Sequence, residues 1–445
     1  MRIIPLLHVM ACAAVLPAQA RQYVDATRPT TGDGRSWSTA FRTLQEALAG
    51  AGANTQVWVA AGTYIGGFVI PASVSVLGGF VAGDTRLTQR APQTQRTILD
   101  GADTQRVLTL ASGCVVDGCT ITHGNAPAPG GGGALADGTN PTITNCWFVD
   151  NRNSGGRGSA FAIYNGGAPR VENCVFARNN GAGHVIDVNS SGGVYRNLVV
   201  ADNVSNGLHF QAGSSPQVEN CAFVNNTGFG LCHINTTDTP TLLHCLLIGN
   251  RAGHILVPTG ALTSIAAVNA LPYARNNVSA DPLFVNPGLL DYHVGPTSPV
   301  IDSGLGTLTN DTPEDLFGGA RVLDGDLNGT ATIDIGVHEV SHVRLTLPPQ
   351  ATRGSPLALT LSGTAGLAGG VFLGSDAGAL FLPPFGHLRI APAAPFLILS
   401  LGALPAQTTL PVPLTLQPSS ALYWQGFALA PTGGNVTGLA DVTVR

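Results

Sequence analysis

One short pattern returns five times between residues 141 and 250: PTITNCWFVDN, PRVENCVFARN, VYRNLVVADN, PQVENCAFVNN and PTLLHCLLIGN. It reads apolar, any, Asn, Cys, any, apolar, two of any, Asn. With one earlier member the Cys column is Cys119, Cys146, Cys174, Leu198, Cys221 and Cys245, at spacings of 27, 28, 24, 23 and 24 residues. Two residues further on lie Ile121, Phe148, Phe176, Val200, Phe223 and Leu247. Apolar residues two apart mark a strand with both columns on one face.

Asn145, Asn173, Asn197 and Asn220, then His244, precede that column, and Asn151, Asn179, Asn203, Asn226 and Asn250 follow it by five residues. Asn tolerates left-handed backbone and bonds locally, so both runs read as bends, with side chains stacking from rung to rung. A period of 23 to 28 residues holding short strands implies a parallel β-helix, in which each rung pairs with its neighbours. The inward Cys and Phe columns form its core. The Cys then act as small buried hydrophobes. A disulfide between neighbouring rungs is the alternative, whereas a metal needs ligands converging from several directions.

The N-C-x-F rungs resemble the right-handed parallel β-helix family, the fold of pectate lyases and of many exported bacterial proteins, over roughly residues 56 to 280. That resemblance implies an all-β chain: a right-handed parallel β-helix with an N-terminal capping helix. The flanking segments complete a division into five parts. Residues 1–20 read as a signal peptide, with an apolar core and the small-x-small site Ala18 to Ala20. "VMAC", ending at Cys12, loosely resembles a lipobox. Residues 21–55 hold a strand and a helix with Phe41, Leu44, Ala47 and Leu48 at helical spacing, suited to covering the open end. The β-helix takes 56–280. Residues 281–344 resemble the closing module of exported β-helix proteins, which ends in Asp-x-Gly-x-x-Glu, here Asp334, Gly336 and Glu339. Residues 345–445 alternate apolar and small polar residues between Gly/Pro turns, as in a β-sandwich-like domain. Their "YWQGFAL" and final "NVTGLADVTVR" loosely resemble C-terminal modules of planctomycete surface proteins. Together these parts imply a bacterial protein of the exterior or cell envelope, without a transmembrane segment.

Two clusters can carry chemistry. Aligning the post-bend segments by their Gly places Asp187 and Gln211 in one column and His184 and His254 in another, with His209 and His233 on rungs between them. A strip of His184, Asp187, His209, Gln211 and His233 on one face suits contact with an extracellular polysaccharide. Val185, Cys232, Ile255 and Phe161 share the column of His209, so an inward His209 is the competing reading. The second cluster is "DGDLNGTATID". Asp324, Asp326 and Asn328 sit two apart, Gly329 follows, and Asp334 comes later, a spacing of oxygen donors that suits Ca²⁺. The alternative is an Asx-rich turn bonded to itself.

Several chemistries lack their residues. All 21 basic residues are Arg, and the net charge of −5 leaves no basic footprint for nucleic acid. Lyases of the resembled family use a Lys or Arg base beside acidic Ca²⁺ ligands, and no acidic cluster faces an Arg within the rungs. The paired Asp with His-Gly and Arg-x-Lys of pectin hydrolases is missing, as is G-x-S-x-G. Glycan binding or adhesion is therefore the expected role. A polysaccharide lyase or glycoside hydrolase with a divergent site is the alternative, and a purely structural surface protein is a third.

Two packing expectations follow from the repeats. Glu172, Arg196 and Glu219 alternate in sign on adjacent rungs and are expected to stack as an exposed ladder. Trp147, Val175, Val199, Ala222 and Leu246, with Val149, Ala177, Ala201, Val224 and Ile248, must point outward yet are apolar. Such a strip needs a cover, and the charge-poor residues 345–445 are the expected one.

Overall fold

The computed structural model describes residues 20–154, 157–306, 313–348 and most of 350–444, the exceptions being 366, 376, 383–385, 391–395, 413–415, 417–420, 430–433, 438 and 439. The signal peptide and Cys12 lie outside the described residues, Ala20 excepted.

Three parallel sheets wrap into a solenoid. The first runs through Gln56–Ala60, Ser75–Phe80, Val115–Asp117, Thr142–Thr144, Arg170–Glu172, Val194–Arg196, Gln217–Glu219, Thr241–Leu243 and Ala274–Arg275. The second contains Cys119–Thr122, Trp147–Val149, Val175–Ala177, Val199–Ala201, Ala222–Val224 and Leu246–Ile248, and the third includes Ala134–Asp137, Phe161–Tyr164, Asn180–Asn189, Val204–Gln211, Phe229–His233 and Gly253–Val257. Register confirms the repeat: Phe148 pairs with Ile121 and Phe176, and Val200 with Phe176 and Phe223. The rings of Phe148 and Phe176 stack at 4.6 Å.

The Asn-Cys pair has a local cause. Asn145, Asn173, Asn197, Asn220 and His244 are all left-handed, with φ between 50° and 54°. That turn folds the chain so that the next thiol reaches the carbonyl two residues back. Cys146 donates to Thr144 at 3.1 Å, Cys174 to Glu172 at 3.0 Å, Cys221 to Glu219 at 3.2 Å and Cys245 to Leu243 at 3.3 Å. All seven described cysteines are free and buried, so the column is core.

At the second bend the left-handed residues are Asp150, Arg178, Asp202, Asn225 and Gly249, one before the Asn run. The Asn themselves turn inward. Nδ2 of Asn151 donates to Oδ1 of Asn179 at 3.1 Å, Asn179 to Asn203 at 3.0 Å, Asn203 to Asn226 at 2.9 Å and Asn226 to Asn250 at 2.9 Å. Each also bonds a main-chain carbonyl, which satisfies polar groups buried between rungs.

Both ends of the solenoid are covered. The helix Leu44–Gly50 starts at Thr43, whose Oγ1 accepts from Glu46 N while Glu46 returns the bond to Thr43 N. Its Leu44, Ala47 and Leu48 pack into the solenoid core. At the far end Gly260–Leu262 pairs antiparallel with Gly253–Val257, and Val268 of the helix Ile265–Asn269 joins the same core.

The outward apolar strip on the second sheet is covered, but not by residues 345–445. Tyr292, Val294, Val300, Leu316, Ile335, Val337 and Val340 pack on Trp147, Val175, Val199, Ala222 and Leu246. The chain doubles back directly after the last rung and is pinned there. Leu305 N donates to Oδ1 of Asn220 at 2.7 Å, Gly336 N to the Asn220 carbonyl at 2.9 Å, and Nδ2 of Asn173 to the Glu314 carbonyl at 2.7 Å. Fully buried Arg321 bonds Asn173 and pairs with Glu339 at 3.4 Å. The strands from Val343 onward pair antiparallel, except that Gln350–Ala351 runs parallel to Ala440–Val444. Leu357 and Leu359 of one sheet meet Val371, Trp424 and Val442 of another, and Phe372, Phe427 and Val436 rest on Ala320 and Leu323 of the covering segment.

That cover also changes the charge ladder. Glu172, Arg196 and Glu219 do stand in register on adjacent strands. They are not exposed: Glu172 is buried beside Arg170 at 2.7 Å, and Arg196 Nε bonds Glu219 at 2.7 Å in a half-covered corner. The covering segment bonds the next residues along, Asn173 and Asn220, and shields much of this corner from solvent.

Candidate functional site

The third sheet carries the site because its strands are long enough to present an outer face. Ile186, Val188, Leu208 and Phe210 point into the core, so Asp187, His209 and Gln211 point out. Register places Asp187 opposite His209, and Asn189 opposite Gln211. Asp187 and Gln211 therefore do not share a column. The Gly-based alignment slips by two residues because the strand Asn180–Asn189 shifts register between Asn180 and His184. A slip of two preserves the face and moves the rung partner.

The shift makes a compact cluster. Asp187 Oδ1 lies 2.6 Å from His209 Nδ1, and the other carboxylate oxygen accepts from the Tyr164 hydroxyl at 3.1 Å. The His184 ring lies parallel on that of His209 at 3.7 Å. Its Nδ1 is 3.1 Å from Nδ2 of Asn206. The Asn206 oxygen accepts from Phe229 N, so its amide nitrogen is the donor to His184. Burial first, then the neighbouring His209, pushes His184 down to about 3. Burial and then the Asp187 charge raise the Tyr164 phenol, which keeps it a hydrogen-bond donor at neutral pH.

Beside this cluster an outward column runs over four rungs: Asp137, Tyr164, Asn189 and Gln211 are paired in sequence. With Arg157 and Pro129, the last three of these border an open recess of about 500 Å³ whose wall includes Asp187. Sequence reading found Gln211 and Asp187 here but missed Asp137, Tyr164, Asn189 and Arg157. The repeat alignment set Phe161 in the column of His209, whereas register puts Ala162 there, so Tyr164 was not read as a column mate of Asn189 and Gln211.

The other expected contacts separate. His209 is outward but buried under His184, which accounts for its apolar column mates Ala162 and Cys232. His233 pairs with inward Phe210, stacks on it at 4.8 Å and bonds the Tyr273 hydroxyl at 2.6 Å. It belongs to the end of the core and does not reach the recess.

The acidic loop is reordered too. Asp324 accepts from Asn328 N and Gly329 N, and Asn328 Nδ2 donates to Asp326 at 2.8 Å, the self-bonded turn of the alternative reading. Asp334 is not part of it. Its two oxygens accept from Asp302 N and Val340 N, both at 2.8 Å, bracing the segment that ends at Glu339. The third acid at the loop is Asp302, which sequence spacing did not reveal because it lies 22 residues before Asp324. Asp302, Asp324 and Asp326 each offer an oxygen within 4.8 Å of the others, and these oxygens could hold a hard cation.

Three comparisons bear on the fold. Residues 94–191 and 156–268 match the family model described as "Right handed beta helix region". The crystal structure of pectate lyase Pel9A is similar at TM-score 0.45 and 13% identity, covering 72% of this chain and 96% of that chain. No curated protein sequence matches. With three parallel sheets in register and that family match across its central rungs, the solenoid of this chain is a right-handed parallel β-helix.

Proposed function

We propose that this protein binds an extracellular polysaccharide along the outer face of its third sheet. The observation that carries the reading is the column Asp137, Tyr164, Asn189 and Gln211, one polar or aromatic side chain per rung beside an open recess. Rungs recur at about 4.8 Å, on the scale of one sugar ring, so successive residues of a glycan chain can meet successive rungs. Asn and Gln offer both donors and acceptors to sugar hydroxyls. Tyr164 adds an aromatic surface and Arg157 a cation for acidic sugars.

The setting agrees with an exported protein whose first twenty residues are removed. Among the described residues no helix is long and apolar enough to cross a membrane. A glycan array tests the reading, with the absorbance of unsaturated products read in parallel. Saturable binding without product supports it. Product from a uronate polymer supports instead the lyase reading, which the Asp187–His209 pair favours as an oriented base. A blank array leaves the structural role.

A further inference from the structure

His184, Asp187 and His209 belong to two neighbouring strands, and only the register shift after Asn180 brings the first onto the third. We propose that these three residues form a binding site for a divalent transition-metal ion of the zinc type.

One ligand atom from each lies within 4.8 Å of the others. Two imidazoles and a carboxylate are borderline donors, which suit Zn²⁺, Cu²⁺, Ni²⁺ or Fe²⁺ better than Ca²⁺ or Mg²⁺. The set is held from behind, as metal ligands usually are. Tyr164 donates to the outer Asp187 oxygen at 3.1 Å.

The ion takes the place of the proton that His209 Nδ1 shares with Asp187. That 2.6 Å gap then opens to roughly 3 Å, the separation of two ligands bonded at about 2 Å to one ion. The His184 ring turns out of its stack and Nδ1 exchanges Asn206 for the metal. The adjoining recess leaves a coordination position for water or a sugar hydroxyl. Among the described residues lining that recess Arg157 is the one cation, and the Asp187 carboxylate offsets it. The site does not depend on the glycan reading, because it can be tested without sugar.

The test uses the tag-free full chain, dialysed against EDTA and titrated with Co²⁺. Visible d–d absorption that saturates at one equivalent, and is displaced by Zn²⁺ but not by Ca²⁺, is expected. His184→Gln and His209→Gln should each weaken binding by more than about 100-fold, while Gln217→Ala, on the first sheet, leaves it unchanged. Cu²⁺ electron paramagnetic resonance on the unmutated chain should show two coupled nitrogens, a readout that survives if a variant fails to fold. No Co²⁺ absorption, or a Cu²⁺ spectrum with one nitrogen or none, overturns the proposal, as does binding that persists in both His variants.

Discussion

Asp187 and His209 face each other across adjacent strands, Oδ1 2.6 Å from Nδ1, with the Asp187 side chain fully buried and that of His209 3% exposed. The pair is on the outward face of its sheet yet closed to water, because His184 and Tyr164 lie over it. Burial on an outward face makes each partner depend on the other. His209→Ala leaves the Asp187 carboxylate buried with one partner fewer, and a loss of about 3–5 kcal/mol in urea unfolding is expected. Gln211→Ala, on the same face and half exposed, should change stability by less than about 0.5 kcal/mol. Equal effects would show that the pair is not closed in.

The covering segment is held by Arg321, which is fully buried between Glu339 and Asn173. Burial raises the Glu339 carboxyl well above its usual range, and Arg321 opposes that rise. Arg321→Ala should therefore cost about 3–5 kcal/mol and loosen residues 292–340 from the strip around Val175 and Val199. Increased binding of a hydrophobic dye checks it. Removing residues 345–445 should leave the strip covered, with dye binding confined to the smaller face around Ala320 and Leu323.

Burial pushes both Asp302 and Asp334 up to about 7, and mutual repulsion adds to the rise at Asp302. A folded carboxyl that binds its proton more tightly than the unfolded one stabilises at low pH. That contribution is complete below about pH 4 and is lost as pH rises toward 7. Asp302→Asn should remove part of the loss, so its melting temperature should exceed that of the unmutated chain more at pH 8 than at pH 4. Ca²⁺ among Asp302, Asp324 and Asp326 would offset the same repulsion, so added CaCl₂ should raise the melting temperature at pH 8 and not at pH 4. A Ca²⁺ effect equal at both pH values would contradict the placement.

The seven cysteines from Cys114 to Cys245 are buried, and burial pushes Cys114 up to about 12 and Cys232 up to about 11. None should react with a thiol reagent in the native protein, and all seven should react in denaturant. Rapid labelling of any one under native conditions would place it outside the core.

The rungs were legible because their causes are local. An Asn or His that accepts left-handed backbone, a thiol bonding two residues back, and an aromatic two further on recur within one strand and one turn. What repeats could not carry was displacement between rungs. The shift after Asn180 set Asp187 against His209 instead of Gln211, and Tyr164 stands in register with Asn189 and Gln211 where the repeat alignment had set Phe161 in the column of His209. Contacts made across long stretches of chain were also hidden. Asp302 reaches Asp324, Arg321 reaches Asn173, and the apolar strip announced a cover without naming residues 292–340.

The most direct test of glycan binding along the third sheet compares affinities for whichever polysaccharide scores on the array. Tyr164→Ala and Gln211→Ala should each reduce affinity at least about tenfold, a loss of some 1.4 kcal/mol. His233→Ala, inside the core, should leave the affinity of the folded fraction unchanged. Affinity untouched by both outer substitutions, or lost equally with His233→Ala in protein shown to be folded, would contradict a glycan site on the Asp137–Tyr164–Asn189–Gln211 column.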